Sequence, residues 1–225
     1  MQLPTSSSSY RTRVRFSLYV ARRLRRAKHQ TLADDAAKVT ASLKEAGRAW
    51  DDADDEIQGA LADRDAADDE LDLIAQETRH ALAGRSLSAV NESPYTDIFS
   101  NGVTYYTAAP LDEEVKRYSE LKQRLTEHLP ASDGIRKKAG KALDSALKEL
   151  TAATGAVDAA RTAESLAATR LTKATDAWSK QMEKTYGALV ADIGRAAAER
   201  FFPKRQRKTS KEPQSGPDKG SQEPA

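Results

Sequence analysis

The chain has 225 residues, of which 39% are hydrophobic, 6% aromatic and 31% charged, with no cysteine and a formal net charge of +2. The lack of cysteine excludes a disulfide framework and a thiolate zinc site, and no apolar run approaches the ~18 residues that a membrane span needs. Few aromatics beside many charges describe long solvated helices rather than a thick globular core.

The small net charge conceals a strong segregation of sign. Between Tyr10 and His29 there are eight Arg or Lys residues and no acid; between Asp51 and Asp72 there are eleven acids, with Arg64 the only base. Lys204-Arg205-Gln206-Arg207-Lys208 is basic again. Such asymmetry bears on partners more than the total charge does.

Taken in order, residues 1–9 (MQLPTSSSS) are polar and Ser-rich and are expected to be disordered. Residues 10–30 form a basic amphipathic segment, with Phe16, Tyr19, Val20 and Leu24 at helical spacing among arginines. It either extends the following helix or folds back as a short one. The first thirty residues, Arg- and Ser-rich and free of acids, share the composition of an organelle transit peptide. High Ala, Arg and Asp usage suits a GC-rich bacterial genome equally well. The expectation is therefore a bacterial cytoplasmic protein, with organelle import through this segment as the alternative.

Residues 31–85 read as a first long helix ending near Gly84. One apolar series is Ala36, Leu43, Trp50, Ile57, then Arg64, then Leu71 and Thr78; the other is Leu32, Val39, Ala46, Ala53, Ala60, Ala67, Ile74 and Ala81. This is a heptad seam with alanine at most second core positions. Residues 132–202 read as a second long helix, opened by Ser132 and stopped by Pro203. Its seam repeats the grammar with Leu143, Leu150, Val157, Glu164, Leu171 and Trp178 against Ala139, Ala146, Ala153, Ala160, Ala167 and Ala174. Pairing the two antiparallel with residue numbers summing to about 231 sets Trp50 near Gln181 and makes Arg64 and Glu164 a register pair. The same alignment places Asp63 near Arg170 and Asp68 near Arg161. The plainer role for Arg64 is a stem laid across alanine with its guanidinium in water. Beyond Trp178 the stripe passes to Met182, Tyr186, Leu189 and Ile193, a four-residue stutter. Phe201 and Phe202 are expected to cover the apolar face of the N-terminal segment.

Between the long helices, residues 86–131 form a tip knob. Tyr95–Phe99 and Val103–Thr107 are rich in β-branched and aromatic residues around Asn101-Gly102, which predicts a small β-hairpin. Pro110 opens a short helix with acids in its first turn. Val115, Tyr118, Leu121, Leu125 and Leu129 give it an apolar face that docks on Leu82 and Leu147. Residues 203–225 read as a basic, disordered tail. The expected fold is thus all-α: a long antiparallel, Ala-rich helical hairpin with a short third helix and a β-hairpin at its tip.

Signals for chemistry are weak. Glu77-x-x-His80 has half the spacing of a carboxylate di-iron site and lacks the second copy such bundles use. The run Asp51, Asp52, Asp54, Asp55, Glu56 lacks the turn glycine and alternating ligands of a calcium loop. No glycine-rich phosphate loop or nucleophile–base arrangement is legible. The reading is a non-enzyme with no cofactor and no metal.

Function therefore rests on surfaces. The first expectation is a structural or adaptor coiled-coil protein that spaces a partner at the tip from an anionic partner at a basic terminal pole, in the manner of a subunit of a larger assembly. The pole comprises Arg11, Arg13, Arg15, Arg22, Arg23, Arg25, Arg26, Lys28, Lys204, Arg205, Arg207 and Lys208; tip contacts are assigned to Tyr95, Phe99, Asn101, Gly102, Tyr105 and Tyr106. The alternative is a sequence-nonspecific nucleic-acid-binding protein using the same basic clusters. A third is association of residues 12–28 with a membrane surface. Protein partners are expected, and self-association is left open.

Overall fold

The computed structural model describes residues 1–204. Among these, every regular element is helical: α1 (Tyr10–Arg26), α2 (Gln30–Ala83), α3 (Tyr95–Ile98), α4 (Thr104–Thr107), α5 (Leu111–His128), α6 (Gly134–Ile193) and α7 (Arg195–Ala198), with 3-10 turns at Ala89–Asn91 and Glu199–Phe201. The described chain divides into two units, residues 1–41 with 177–204, and residues 42–176; α2 and α6 contribute to both.

In the unit of residues 42–176, α2 and α6 pack as the expected antiparallel pair. Leu71, Ala67, Leu143, Ala146 and Leu150 are buried in one cluster, and Ala60, Val157 and Ala160 in a smaller one. The register differs from expectation. Trp50 meets Glu164 and Lys138 meets Glu77, so facing residue numbers sum to about 215, a slide of roughly two heptads. An alanine seam matches itself at every seven-residue slide, so periodicity alone cannot choose among registers. Closure of the tip chooses: Ile74, Thr78 and Ala81 of α2's last turns share a groove with Ile135, Ala139 and Ala142 of α6's first. The Arg64–Glu164 register pair is consequently not formed. Arg64 binds the adjacent Asp65 at 2.5 Å, and Glu164 accepts the Trp50 indole N–H. Asp63 borders Glu149, Ala152, Ala153 and Ala156 rather than Arg170.

The tip corrects a second expectation, since no strand is present among the described residues. Gly102 does adopt a positive φ of 75°, as the Asn-Gly pair suggested, but Asn101 does not. The type I′ hairpin turn that Asn-Gly favours needs both. The flanks instead wind into the single turns α3 and α4, which bury Ile98, Phe99 and Tyr106 with Tyr118, Leu121 and Leu125 of α5. Fully burying such a side chain is worth about 1.5–3 kcal/mol, whereas an isolated two-stranded hairpin is marginal in water. Leu82 is buried in this cluster and Leu147 packs against it, as expected for the dock of α5.

Local boundaries move slightly for identifiable reasons. Asp133, not Ser132, caps α6, accepting from the backbone N–H groups of Ile135 and Arg136 at 2.8 and 3.3 Å. α6 ends at Ile193, where Gly194 takes φ 80° and the chain turns into α7. The buried stripe after Trp178 runs through Met182, Thr185 and Leu189, leaving Ile193 exposed. On α5 the buried face holds Glu114 rather than Val115, which is exposed.

In the other unit, α1 folds back on the start of α2. The reversal is a Schellman motif, with His29 N–H bonded to Leu24 C=O, Lys28 N–H to Arg25 C=O, and Lys28 at φ 65°. Phe16, Val20 and Leu24 of α1, Ala33 and Ala36 of α2, and Trp178, Met182, Leu189 and Phe202 are all buried, and Phe16 is in ring contact with Trp178 and Phe202.

Candidate functional site

α1 is held in one orientation by contacts along its inner face. Ser9 caps it, accepting from Thr12 N–H at 3.3 Å. Phe16 packs edge-on against Trp178 with ring centroids 5.9 Å apart and tilts against Phe202 at 6.2 Å. The expected cover by Phe202 is thus present, while Phe201 packs on His29 instead. The Ser17 and Thr40 hydroxyls, both buried, are hydrogen-bonded at 2.7 Å. Arg23, Arg25 and Arg26 fall in the last turn, where cations complement the helix dipole.

With the inner face locked, the outer face is fixed too. Arg11, Arg15, Arg22, Arg23, Arg25, Arg26 and Lys28 are exposed, and α1 carries no acid. Two apolar side chains join them, Leu18 at 58% and Tyr19 at 44% exposure. Arg25 makes a 3.6 Å ion pair with Asp34, exposed on both sides and therefore weak. Arg11 lies over the Tyr10 ring.

Arg13 does not belong to this surface. It is buried, and its guanidinium donates to the backbone carbonyls of Thr5 and Ser6 at 2.9 and 3.1 Å and to that of Ser8. Residues 5–8, expected as part of a disordered terminus, are gathered in this way onto α1. Lys204 is exposed; Arg205, Arg207 and Lys208, like the rest of the expected tail, lie outside the described residues.

Most of the aromatic tip is core rather than contact surface. Phe99 and Tyr106 are buried, and the Tyr106 hydroxyl donates to Ile98 C=O at 3.1 Å. Burial pushes the Tyr106 phenol up to about 12. Tyr95 accepts from Arg79 Nε at 3.0 Å, and Tyr105 donates to Glu120 at 2.9 Å beneath the Arg117 guanidinium. Asn101 and Gly102 remain exposed, and the exposed apolar residues of this region are Leu87, Val90, Leu111 and Val115. Heptad and turn signals are silent on Leu87, Val90 and Leu111, whereas Val115, which its spacing places on the apolar face of α5, is exposed instead.

One charged group was not foreseen. Glu114 is only 4% exposed and its Oε2 has no hydrogen-bond partner in the protein. It faces Arg64, Asp68 and Asp72 of α2, and Tyr118 donates to Asp72 at 2.5 Å. Burial, then the neighbouring Asp68 and Asp72, push the Glu114 carboxyl up to about 8, against a weaker pull from Arg64. Burial likewise raises Asp72, aided by Asp68 and Asp69 and opposed by the Tyr118 hydrogen bond. The arrangement can store a proton. Elsewhere Glu77 pairs with Lys138 at 3.1 Å, and His80 is exposed. No group of three or more His, Asp or Glu suited to a metal occurs among the described residues, nor a helix long and apolar enough to cross a membrane.

No protein-family model, no curated protein and no solved structure matches the chain.

Proposed function

We propose that the protein is a non-enzymatic structural or adaptor protein whose α1 outer face receives an anionic partner. The observation that carries this reading is the cationic, acid-free side of α1, presented to solvent by a helix whose other side is fixed in a core. Preorganisation of this kind lowers the ordering cost of association. The long helices, running through both units, serve as the connecting element, and the tip offers a second surface through Asn101, Gly102 and the exposed Leu87 and Val90. Of the histidines, His29 sits by Asp192 and Phe201, and His128 lies 3.7 Å from Asp97. Replacing Arg15, Arg22 and Arg26 together by glutamate should abolish retention on an immobilised polyanion at low salt. Unchanged elution of that variant overturns the reading.

A second reading, sequence-nonspecific nucleic-acid binding, uses the same face, with the exposed Tyr19 available to stack on a base. It predicts an affinity that falls steeply from low to moderate salt.

A further inference from the structure

Resting on the reading of α1 as the anionic-partner face, we infer that this partner is the headgroup surface of an anionic lipid bilayer, with Leu18 and Tyr19 entering the interface inside a frame of arginines.

The placement of the apolar pair decides between partners. Leu18 follows Arg15 by three residues and precedes Arg22 by four, so both guanidiniums lie one helical turn from it along the same face. Tyr19 stands in the same relation to Arg15, Arg22 and Arg23, and Arg26 lies one turn further on. The most exposed apolar side chain of α1 is therefore framed by cations rather than set at their margin. A nucleic acid rewards cations through its phosphates and aromatic rings through its bases, and it gains nothing from leucine at the middle of the contact. A bilayer interface rewards all three components. Leucine reaches the acyl boundary, tyrosine suits the headgroup level with its hydroxyl toward water, and arginine stems lie along apolar surface while their heads meet phosphates. Basic residues near an anionic leaflet each add attraction that falls off within a Debye length. Two apolar side chains are too few to hold a neutral membrane, so binding requires negative lipid. The inner face of α1 stays packed on Trp178 and Phe202 throughout, and the helix lies on the surface without leaving its unit.

The test is co-sedimentation of the full chain with phosphatidylcholine vesicles and with vesicles containing about one third phosphatidylglycerol, at roughly 100 mM salt, where screening acts over about 10 Å. Parallel titrations use duplex and single-stranded DNA. The variants are Leu18→Ser with Tyr19→Ser, and Arg15→Gln with Arg22→Gln, each checked for unchanged helicity by circular dichroism. The inference expects binding to the anionic vesicles alone, weakened by about tenfold or more in both variants. Wild-type affinity of the Leu18/Tyr19 variant for anionic vesicles overturns it. So does DNA binding without vesicle binding, which leaves the anionic-partner reading standing. Failure of every anionic probe, even at low salt, removes both.

Discussion

Trp50 donates its indole N–H to Glu164 Oε1 at 2.6 Å, joining the two long helices at a layer where each contributes a large, polar-tipped side chain to an otherwise alanine-rich seam. With the Glu77–Lys138 pair it marks one register among several that the heptads alone would allow. A hydrogen bond to a charged acceptor contributes about 1.5–3 kcal/mol, and losing the acceptor leaves a half-buried donor without a partner.

Glu164→Ala should therefore lower stability by about 1–2 kcal/mol, with Glu164→Gln costing less than half as much because an acceptor remains. In a Trp50→Phe background the Glu164→Ala cost should nearly vanish, which a double-mutant cycle by urea denaturation reads directly. Equal costs in both backgrounds would show that the contact does not join the helices.

The tip gives a prediction that separates its helical turns from a hairpin. Phe99 is buried against Tyr95 and Tyr106, with ring centroids 5.7 and 5.8 Å away, so Phe99→Ala should cost about 3–5 kcal/mol. Asn101→Ala should stay within about 0.5 kcal/mol, since Asn101 is exposed and outside the left-handed region. Gly102→Ala, at φ 75°, should cost about 1 kcal/mol. Thermal melts of the three variants suffice, and a large loss at Asn101 would contradict the described turn.

These cases show what the chain's own text makes legible. The seam positions Leu43, Leu71, Leu143, Leu150, Val157 and Trp178 are buried as their spacing implies, because burial on a helix follows a period that composition writes locally. Register is a property of two segments and a closing loop, and a seven-residue repeat leaves it degenerate. The Arg64–Glu164 pairing drew on charge complementarity, and the neighbouring Asp65 satisfies Arg64 instead. At the tip, Gly102 was readable from its turn chemistry, but the helical winding of Tyr95–Ile98 and Thr104–Thr107 depends on α5 receiving their side chains. On α1 the arginine pattern was readable, while the inward use of Arg13 depends on where residues 5–8 fold back. A similar limit hid Glu114: with Tyr118, Leu121 and Leu125 fixed as the inner face, both positions 114 and 115 lie near its edge, and hydrophobicity favoured the valine.

Lys28 carries a backbone cost that substitution can relieve. It holds φ 65° at the α1–α2 reversal, a conformation that costs non-glycine residues about 1–2 kcal/mol. Lys28→Gly should raise stability by up to about 1 kcal/mol, glycine's greater freedom in the unfolded chain offsetting part of the gain. Lys28→Val should lower it, since a β-branched side chain tolerates this region poorly. Urea midpoints compared at fixed pH test both, and a glycine variant less stable than the native chain would show that the lysine side chain contributes something that the backbone does not.

Glu114 sets a pH dependence whose sign follows from its surroundings. In the unfolded chain its carboxyl titrates near the ordinary 4.5; in the fold, burial and then the neighbouring Asp68 and Asp72 push it up to about 8. Between those values the folded state holds a proton that the unfolded state releases. Stability therefore falls as pH rises from about 4.5 towards 8, by on the order of 1 kcal/mol per unit within the window, and levels above it. Asp72, also raised, adds a decline of the same sign starting from its ordinary range. Glu120 and Asp133, both lowered by hydrogen bonds from arginines and other neighbours, act oppositely: their contribution is complete above the ordinary carboxylate range and is lost only as pH falls below it. They leave the decline above the ordinary carboxylate range to the two raised carboxyls, Glu114 and Asp72. Glu114→Gln keeps the shape of the side chain and cannot ionise. Its urea midpoint should match that of the native chain near pH 5 and exceed it progressively at pH 6.5 and 8. Parallel pH profiles for the two proteins would show that no proton is held between α5 and the acidic side of α2.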